Sequence, residues 1–494
     1  MVESSGTPDF PDMDKSALSL RHAREAIALL SSGGDARIAI DSDTGLNRYL
    51  SAPYPRQTLA YASSTANDLS GAAFEHACRR IGQGLPCYEE ALDSIRQQIT
   101  DAYGLDASQS VVFAASGTDL EYVALAAIYD RAEAGVHNVL LGADEVGSGC
   151  PFSAAGKYFA EQTSLGIETV KGEPVPGLEH VSLADIAVRC EQGRALASAQ
   201  ISAAIETELE LARSMRQHAL VHVVHGSKTG LILPDMAHLD YLKAKWGSQL
   251  TFVVDACQAR ITPQAVRDYL DRGAIVFVTG SKFMGGAPFS GFALIPPAIM
   301  EEVITLQEGL RGIFRRGEWP SCWPGRDALN NSENPGLALR LDAAVFELQR
   351  FQQLTLPQVE RVIVAFEASL KARLLDAHDM SLVKPYALGA REEAVTHPIE
   401  MRTLATLDVS RLSGLRTFDE CQDFHRRMAL AGVRLGQPVK CVHLDDGRWG
   451  GTLRIGLSMP QIVEFSALED AELKARFDSD MQRLANALVT EYAE

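Results

Sequence analysis

Apolar runs alternate with helical segments along most of the chain from about residue 96 onward. Each run is short, and the stretches between the runs repeat their apolar residues at helical spacing. Because a strand that is apolar on both sides must be covered on both faces, this alternation predicts an α/β fold with a mostly parallel sheet between layers of helices. The predicted strands of this large sheet are residues 110–115, 138–142, 220–226, 250–256, 274–280 and 291–295.

The region before this alternation differs in composition and in the elements that it predicts. Residues 1–15 are polar and acidic, which predicts a loose tail. Residues 16–95 predict short helices that are joined by a stretch rich in proline, serine and threonine. We therefore expect this region to be an extended arm rather than a compact domain.

A smaller α+β region is predicted after residue 330. A long helical pattern opens it, and a terminal helix begins at about residue 466. Its strands are expected near residues 403–409, 440–444 and 452–458. The chain is thus predicted to have three parts: an N-terminal tail and arm (1–95), a large domain (96–330) and a C-terminal small domain (331–494).

Composition narrows the classes of function. The formal net charge is -18 and no long basic run occurs, which disfavours a nucleic-acid partner and an anionic membrane surface. The eight cysteines are scattered without the spacing of a disulfide frame or a zinc site, and no apolar run approaches the length of a membrane span. These features predict a cytoplasmic protein that acts on a small molecule and holds no metal.

Polar residues follow the first predicted strand at the point where a helix begins. Ser116 and Gly117 form the turn, and Thr118 stands at the start of the helix. Free N–H groups, the helix dipole and two hydroxyl groups would suit a phosphate. The alternative is a simple capping box between Thr118 and Glu121, which needs no ligand and is consistent with the negative charge of Asp119 and Glu121.

Two further predicted strands end in residues of types that take part in catalysis. Asp255 stands at the tip of one strand with Gln258 one turn beyond it, and Lys282 follows the next strand. Because a single crossover helix fits between them, adjacent parallel strands would bring the aspartate and the lysine side by side. Taken singly, each could be an ordinary surface residue or helix cap. Glycines on both sides of Lys282 favour close approach of the backbone to a bound molecule.

Together these motifs resemble the fold-type I pyridoxal phosphate enzymes, and within them the class V aminotransferase and cysteine desulfurase group. The resemblance covers about residues 100–300 through specific motifs and about the last 160 residues only in outline. It implies the aspartate aminotransferase-like fold and pyridoxal 5′-phosphate as cofactor. Lys282 would form the Schiff base and then move the α-proton of an amino-acid substrate. Asp255 would pair with the pyridinium nitrogen, and Gln258 would donate to the phenolate oxygen.

The resemblance also assigns the residues around the cofactor. Gly117, Thr118, Thr279 and Ser281 would hold the phosphate, with Ser116 in the same turn. Ser281 stands where many members of the group have a histidine.

The loop after the second strand departs from the group because it carries no aromatic residue before Phe152. Glu145 or Val146 would take the place of the ring that stacks on the cofactor, and Glu145 is a candidate for proton transfer.

The substrate side is less well defined by the motifs. Ser227 and Lys228 follow the third strand and are candidates for contacts with the phenolate side of the cofactor and with the substrate. His225 precedes them, either near the cofactor or in a structural role. His222 and His225 point to opposite faces of the strand, which disfavours a shared metal. By resemblance, Arg454 would bind the substrate carboxylate; the alternative is an exposed strand arginine.

An unusual loop rich in glycine and tryptophan, residues 312–325, precedes the small domain. Its arginines, Arg315 and Arg316, suit an anionic part of a larger substrate. Trp319 and Trp323 are of a type favoured at interface cores. We expect this loop either to cover the site or to reach a neighbouring subunit of a homodimer, the assembly that the resemblance implies.

Three classes of function remain open at this stage. The first is a pyridoxal phosphate enzyme that removes the α-proton of an amino acid and then transaminates it or eliminates a β- or γ-group. The second is a cofactor-dependent enzyme that forms carbon–carbon bonds in a specialised pathway. The third is a binding protein without catalysis on the same fold. The presence of Lys282, Asp255 and Gln258 together favours an enzyme.

Overall fold

The computed structural model describes residues 17–387, 400 and 402–490 of the chain. The predicted tail of residues 1–15 lies outside these residues. The helices are α1 Ala17–Leu30, α2 Gly71–Gln83, α3 Tyr88–Tyr103, α4 Leu120–Ile128, α5 Cys150–Ser153, α6 Ser198–Met215, α7 Met236–Trp246, α8 Pro263–Asp271, α9 Pro297–Met300, α10 Pro335–Gln352, α11 Leu356–Leu370, α12 Phe418–Leu430, α13 Met459–Ser466 and α14 Asp470–Thr490.

The strands are more numerous than the apolar runs suggested. They are β1 Leu59–Tyr61, β2 Ser110–Ala114, β3 Val136–Leu141, β4 Val181–Ile186, β5 His218–His225, β6 Ile232–Leu233, β7 Leu250–Asp255, β8 Ile275–Thr279, β9 Gly291–Ile295, β10 Ser381–Val383, β11 Leu404–Asp408, β12 Val433–Leu435 and β13 Thr452–Gly456.

A large central sheet contains all six strands that the apolar runs predicted. Its order is β2-β9-β8-β7-β5-β3-β4, with the short β6 paired to β5. Strands β2, β8, β7, β5, β3 and β4 run in one direction, and β9 and β6 run against them. The predicted mostly parallel sheet is therefore confirmed. Strand β4 was missed because it is an edge strand whose residues are largely half-buried, so it has no continuous apolar run.

Both faces of this sheet are buried, which explains the uninterrupted apolar runs. Along β2, Val111 and Phe113 belong to one hydrophobic cluster, whereas Val112 and Ala114 belong to another on the opposite face. Successive side chains of a strand point to opposite faces, so each face needs its own helical cover.

The N-terminal arm packs closely on the later parts of the chain. Its helices α1 and α2 share a hydrophobic cluster with α10. A Cβ atom at Gly336 would lie 2.4 Å from the carbonyl oxygen of Leu29, so only glycine allows this approach of α10 to α1. Strand β1 pairs in parallel with β12. The predicted boundary at residue 95 falls inside α3.

The C-terminal region has its own small antiparallel sheet, in the order β10-β11-β13. Two of its three predicted strands are present. The third, residues 440–444, is not a strand: the chain turns at Gly447, and the backbone of Leu444 bonds to that of Arg448 across the turn. The last helix begins at Asp470, after the separate helix α13.

The loop of residues 312–325 packs into the core instead of covering the site. Trp319 and Trp323 are almost fully buried and meet edge to face, with ring centroids 4.6 Å apart. Arg315 donates to the carbonyl of Ser164 at 3.0 Å, and Arg316 pairs with Glu89 at 3.3 Å. Both tryptophans are thus used within the chain, so the expectation that they reach a neighbouring subunit is wrong. The homodimer prediction rests on the resemblance alone.

Within the described ranges, no helix combines the length and the apolar character needed to cross a bilayer.

Replacement of Trp319 should show how much the packing of its side chain stabilises this core. Trp319→Ala should lower the free energy of unfolding by about 3–5 kcal/mol, because it leaves a cavity in a buried cluster. Trp319→Phe should cost clearly less, since the indole N–H of Trp319 has no partner among the described residues and phenylalanine therefore loses no bond. Urea unfolding followed by circular dichroism measures both. Equal losses would contradict this packing.

Candidate active site

A cavity of about 240 Å³ lies where the parallel strands of the large sheet end. Residues that follow β2, β3, β5, β7 and β8 all line it, because parallel strands bring their carboxyl ends to one edge. Residues from the arm, and Arg454 of β13, also line the cavity. All of the site residues that the sequence predicted, except His225, line this cavity.

Lys282 stands on the turn that follows β8. The turn packs tightly against α10: a Cβ atom at Gly280 or at Gly286 would lie 2.5 or 2.6 Å from the Cβ of Ala344. Asn67 of the arm donates to the carbonyl of Lys282 at 2.7 Å. The ammonium group of Lys282 makes no hydrogen bond or ion pair with any residue that the structure describes. A fixed backbone thus presents an unpaired amine to the cavity.

Asp255 ends β7, the neighbour of β8 in the sheet. Its register partner is Phe277, and its carboxylate accepts from the backbone N–H of Cys257 at 2.9 Å. Asp255 and Lys282 therefore leave adjacent strands at the same edge and line the same cavity, as the sequence predicted.

Gln258 is almost fully buried, and its amide is partly occupied. Its Nε2 donates to the carbonyl of Ser64 at 3.1 Å, and its Oε1 accepts from Arg260 at 2.9 Å. One N–H of the amide therefore remains for a ligand, which still agrees with the predicted contact.

The predicted phosphate cradle is assembled at the start of α4. Ser116, Gly117 and Thr118 lie beside Thr279 and Ser281 on the cavity wall. A Cβ atom at Gly117 would lie 3.0 Å from Thr279 Cγ2 and 3.2 Å from Cys257 Sγ, so the turn depends on glycine.

The capping box that the sequence offered as an alternative is not formed. The helix is capped at Asp119 without a side-chain hydrogen bond, and Glu121 faces the cavity. Glu121 pairs with His222 of β5 at 3.3 Å, and burial raises the pKa of Glu121. Burial also raises the pKa of Asp119 to about 6, although Ser116 Oγ donates to it at 2.6 Å.

The arm supplies cavity residues that sequence reasoning missed. Arg37 pairs with Asp35 at 2.6 Å, donates to Ser116 Oγ at 3.3 Å, and lies over the rings of Phe159 and Phe289. Tyr49 lines the cavity nearby. No local signal could have found Arg37, because its partners are 79 and more residues away, apart from Asp35 and Tyr49.

Glu145 is held in a dense network of hydrogen bonds. Arg189 Nε donates to it at 2.7 Å and Ser227 Oγ also at 2.7 Å, while Thr229 donates through both its backbone N–H and its hydroxyl. Burial alone would raise the pKa of Glu145, but the charge of Arg189 and these bonds outweigh it and hold the pKa below its ordinary value. The geometry therefore favours a positioning role for Glu145 over the predicted proton transfer.

Val146, the next residue, is buried and lines the cavity. Of the two residues that the sequence offered for the stacking position, Val146 is the apolar one, and its role there stays a prediction.

The predicted carboxylate-binding arginine, Arg454, is almost fully buried in β13. Its guanidinium donates to the carbonyls of Gln437, Ser64 and Lys228 at 2.8, 3.1 and 3.3 Å, and to Thr65 Oγ1 at 3.0 Å. These partners are all neutral, and burial lowers its pKa to about 10. Arg454 is thus a buried cation at the cavity wall, and the alternative of an exposed strand arginine is wrong.

His225 does not line the cavity. Its Nδ1 bonds to the hydroxyl of Tyr269 at 2.9 Å, and its Nε2 lies 3.6 Å from Glu400. The structure thus gives His225 the structural role that the sequence offered as the alternative to a place near the cofactor. His222 faces Glu121 instead, so the two histidines do point apart, as predicted. Among the described residues, no group of three or more acidic, cysteine or histidine side chains is placed to hold a metal.

The contribution of the Arg189–Glu145 ion pair to stability should depend on pH. Arg189→Met leaves Glu145 buried without its cation, which should cost about 3–5 kcal/mol of stability at pH 7. The lowered pKa in the wild type means that the ionised carboxylate stabilises the fold above its unfolded pKa, about 4.3, and that this stabilisation fades as the pH falls. In the variant, burial raises the pKa and the sign reverses. The loss should therefore shrink between pH 7 and pH 4.

Urea unfolding at both pH values measures this effect, with Arg411→Met as control. Arg411 pairs with Asp379 on the surface, where both side chains are about 70% exposed, so that pair should contribute little at either pH. A loss in Arg189→Met that does not depend on pH would contradict the account of Glu145.

Neither a scan against protein-family models nor a search of curated protein sequences gave a match. Solved structures do match. The chain is similar to a NifS-like protein, with 14% identity over 86% of this chain and 99% of that chain and a TM-score of 0.50. It is similar to a cysteine desulfurase from Thermococcus onnurineus NA1 in its apo form, with 14% identity over 87% and 96% and a TM-score of 0.51.

Ureidoglycine–glyoxylate aminotransferase from Bacillus subtilis is similar to the same extent, with 13% identity over 88% of this chain and 98% of that chain and a TM-score of 0.51. At this level of identity the likeness is one of fold. It agrees with the group that the sequence motifs resemble, and it confirms that the chain has the aminotransferase-like fold of fold-type I pyridoxal phosphate enzymes.

Proposed function

We propose that the protein is a pyridoxal 5′-phosphate-dependent enzyme that removes the α-proton of an amino acid, as a transaminase or a lyase that eliminates a β- or γ-group. The observation that carries the proposal is the unpaired amine of Lys282 in a cavity that Asp255 and the buried cation of Arg454 also line. The shared fold supports it.

The residues present suit this cofactor. The turn at the start of α4 offers backbone N–H groups and the hydroxyl of Thr118 to a phosphate, and a Cβ atom at its glycine would be tightly packed against Thr279 and Cys257. Asp255 offers a carboxylate to a ring nitrogen, and Gln258 offers one amide N–H to a ring oxygen. When bound, pyridoxal phosphate supplies an electron sink for bonds at the α-carbon of an amino acid.

The roles of the protein side chains follow from their charges. Arg454 would bind the α-carboxylate, because it is a buried cation whose partners among the described residues are all neutral. Four of its five N–H groups are occupied, so the remaining N–H on Nη2 would donate to the carboxylate. Lys282 Nζ would take the α-proton, since it is the amine in the cavity that is free of partners. Val146 and the surrounding walls would exclude water from the reacting carbon.

A cysteine desulfurase that uses a thiol of the cavity wall is disfavoured. Cys150 and Cys257 line the cavity, and burial raises the pKa of both thiols well above the usual value. The thiolate is the nucleophile in sulfur transfer, so neither residue is suited to it. This is why transamination or elimination is the reaction proposed.

Exchange of the α-hydrogen tests the proposal directly. In deuterium oxide, the protein loaded with pyridoxal phosphate should incorporate deuterium at the α-carbon of its substrate, detected by proton NMR across a panel of amino acids. Arg454→Met should raise the concentration of amino acid needed for half-maximal exchange by about 10–100-fold. This factor corresponds to the free energy of one hydrogen bond between charged groups.

Arg454→Lys keeps the charge and should show a smaller loss. Because Arg454 also bonds to the arm, the visible absorption of the loaded protein serves as a check that each variant still binds the cofactor. If no amino acid exchanges its α-hydrogen although the cofactor is bound, the proposed reaction is wrong. If Arg454→Met exchanges with unchanged concentration dependence, the assigned role of Arg454 is wrong.

A further inference from the structure

Two cations lie on one wall of the cavity, and neither forms an ion pair with any described residue. Arg454 donates only to backbone carbonyls and to the hydroxyl of Thr65. Lys228, on the turn after β5, is half-buried, and its Nζ donates to the carbonyl of Asp144 at 2.9 Å. Buried charge without a counter-ion is costly, so this wall is suited to anions that arrive with a ligand.

The nearby acid, Glu145, compensates this wall only in part: its charge acts on both Lys228 and Arg454, but it forms no ion pair with either. Glu145 is committed to Arg189, Ser227 and Thr229, and its two carboxylate oxygens accept bonds from all three. Arg189 in turn donates to Thr229 Oγ1 and to the carbonyl of Gly193. Glu145 therefore forms its ion pair with Arg189, and Lys228 and Arg454 are left without an ion pair among the described residues.

The two cations offer separate positions. The carbonyl of Lys228 lies 3.3 Å from Arg454 Nη1, which fixes the backbone of Lys228 beside the guanidinium. The side chain leaves that point through four methylene groups and ends at Asp144, on the loop after β3. One carboxylate on Arg454 would therefore leave the ammonium of Lys228 for a second anionic group of the same ligand.

The electrostatic state of Lys228 agrees with this arrangement. Burial, and then the charge of Arg454, lower the pKa of Lys228 to about 8. A bound anion would favour the ammonium form, since an opposite charge nearby stabilises a charged group.

We infer that the substrate is an amino acid with a second acidic group, whose α-carboxylate binds Arg454 and whose side-chain anion binds Lys228. This inference rests on the proposed function for the amino group and deepens it by naming the substrate class. Either a side-chain carboxylate or a phosphonate presents negative charge to Lys228.

Binding of unreactive acids tests the inference without any reaction. The protein loaded with pyridoxal phosphate is titrated by calorimetry with succinate and glutarate, with 3-phosphonopropionate, and with the monoacids propionate and butyrate. The diacids should bind at least about ten-fold more tightly, which corresponds to the free energy of one hydrogen bond between charged groups.

Lys228→Met should reduce this preference to within about two-fold, and Lys228→Arg should retain it. Lys371→Met changes an exposed lysine that does not line the cavity, and should leave the preference unchanged.

Two results would overturn the inference. Monoacids that bind the wild type as tightly as diacids would show that there is no second anion position. A Lys228→Met variant that loses affinity for monoacids and diacids alike would show that Lys228 and Arg454 hold the same carboxylate. Either result leaves α-hydrogen exchange intact if the proposed function is right. Conversely, diacid preference through Lys228 without exchange of any amino acid would refute the reaction and retain the anion site.

Discussion

The parallel pairing of the central strands is the constraint on which the site depends. Strands β2, β3, β5, β7 and β8 run in one direction, so their carboxyl ends meet at one edge, and the residues that follow them line one cavity. Lys282 and Asp255 come together because β8 pairs with β7. A reversal of either strand would move its terminal residue to the other end of the sheet.

The cavity is completed by segments that are far apart in sequence, and one carbonyl joins three of them. The oxygen of Ser64, in the arm, accepts from Gln258 of the large sheet and from Arg454 of the C-terminal region, both at 3.1 Å. Ser63 makes a similar link, because it donates to the carbonyl of Leu457 and accepts from the buried Arg260. The arm therefore forms part of the cavity wall, and its position sets the orientation of Arg454.

The sequence alone predicted those parts of the fold and site that are encoded locally. Apolar runs predicted the buried strands, and the residues directly after them predicted Lys282, Asp255 and the cradle at Gly117. Edge strand β4 was not predicted, because a half-buried strand lacks a continuous apolar run. The sequence did not predict the roles of Arg189, Arg37 and Ser64. Their contacts join residues that are 44 to 390 positions apart, and no local pattern records such contacts. The tryptophans of the 312–325 loop were misplaced because composition cannot distinguish a core from an interface.

The central claim is that Lys282 is the residue that binds the cofactor covalently. Reduction of the protein loaded with pyridoxal phosphate by borohydride, followed by proteolysis and mass spectrometry, measures the site of attachment directly. The account predicts one modified peptide that contains Lys282, and no modification of Lys228 above the level found on exposed lysines. Attachment to Lys228 or to another lysine, or no attachment despite bound cofactor, would contradict it.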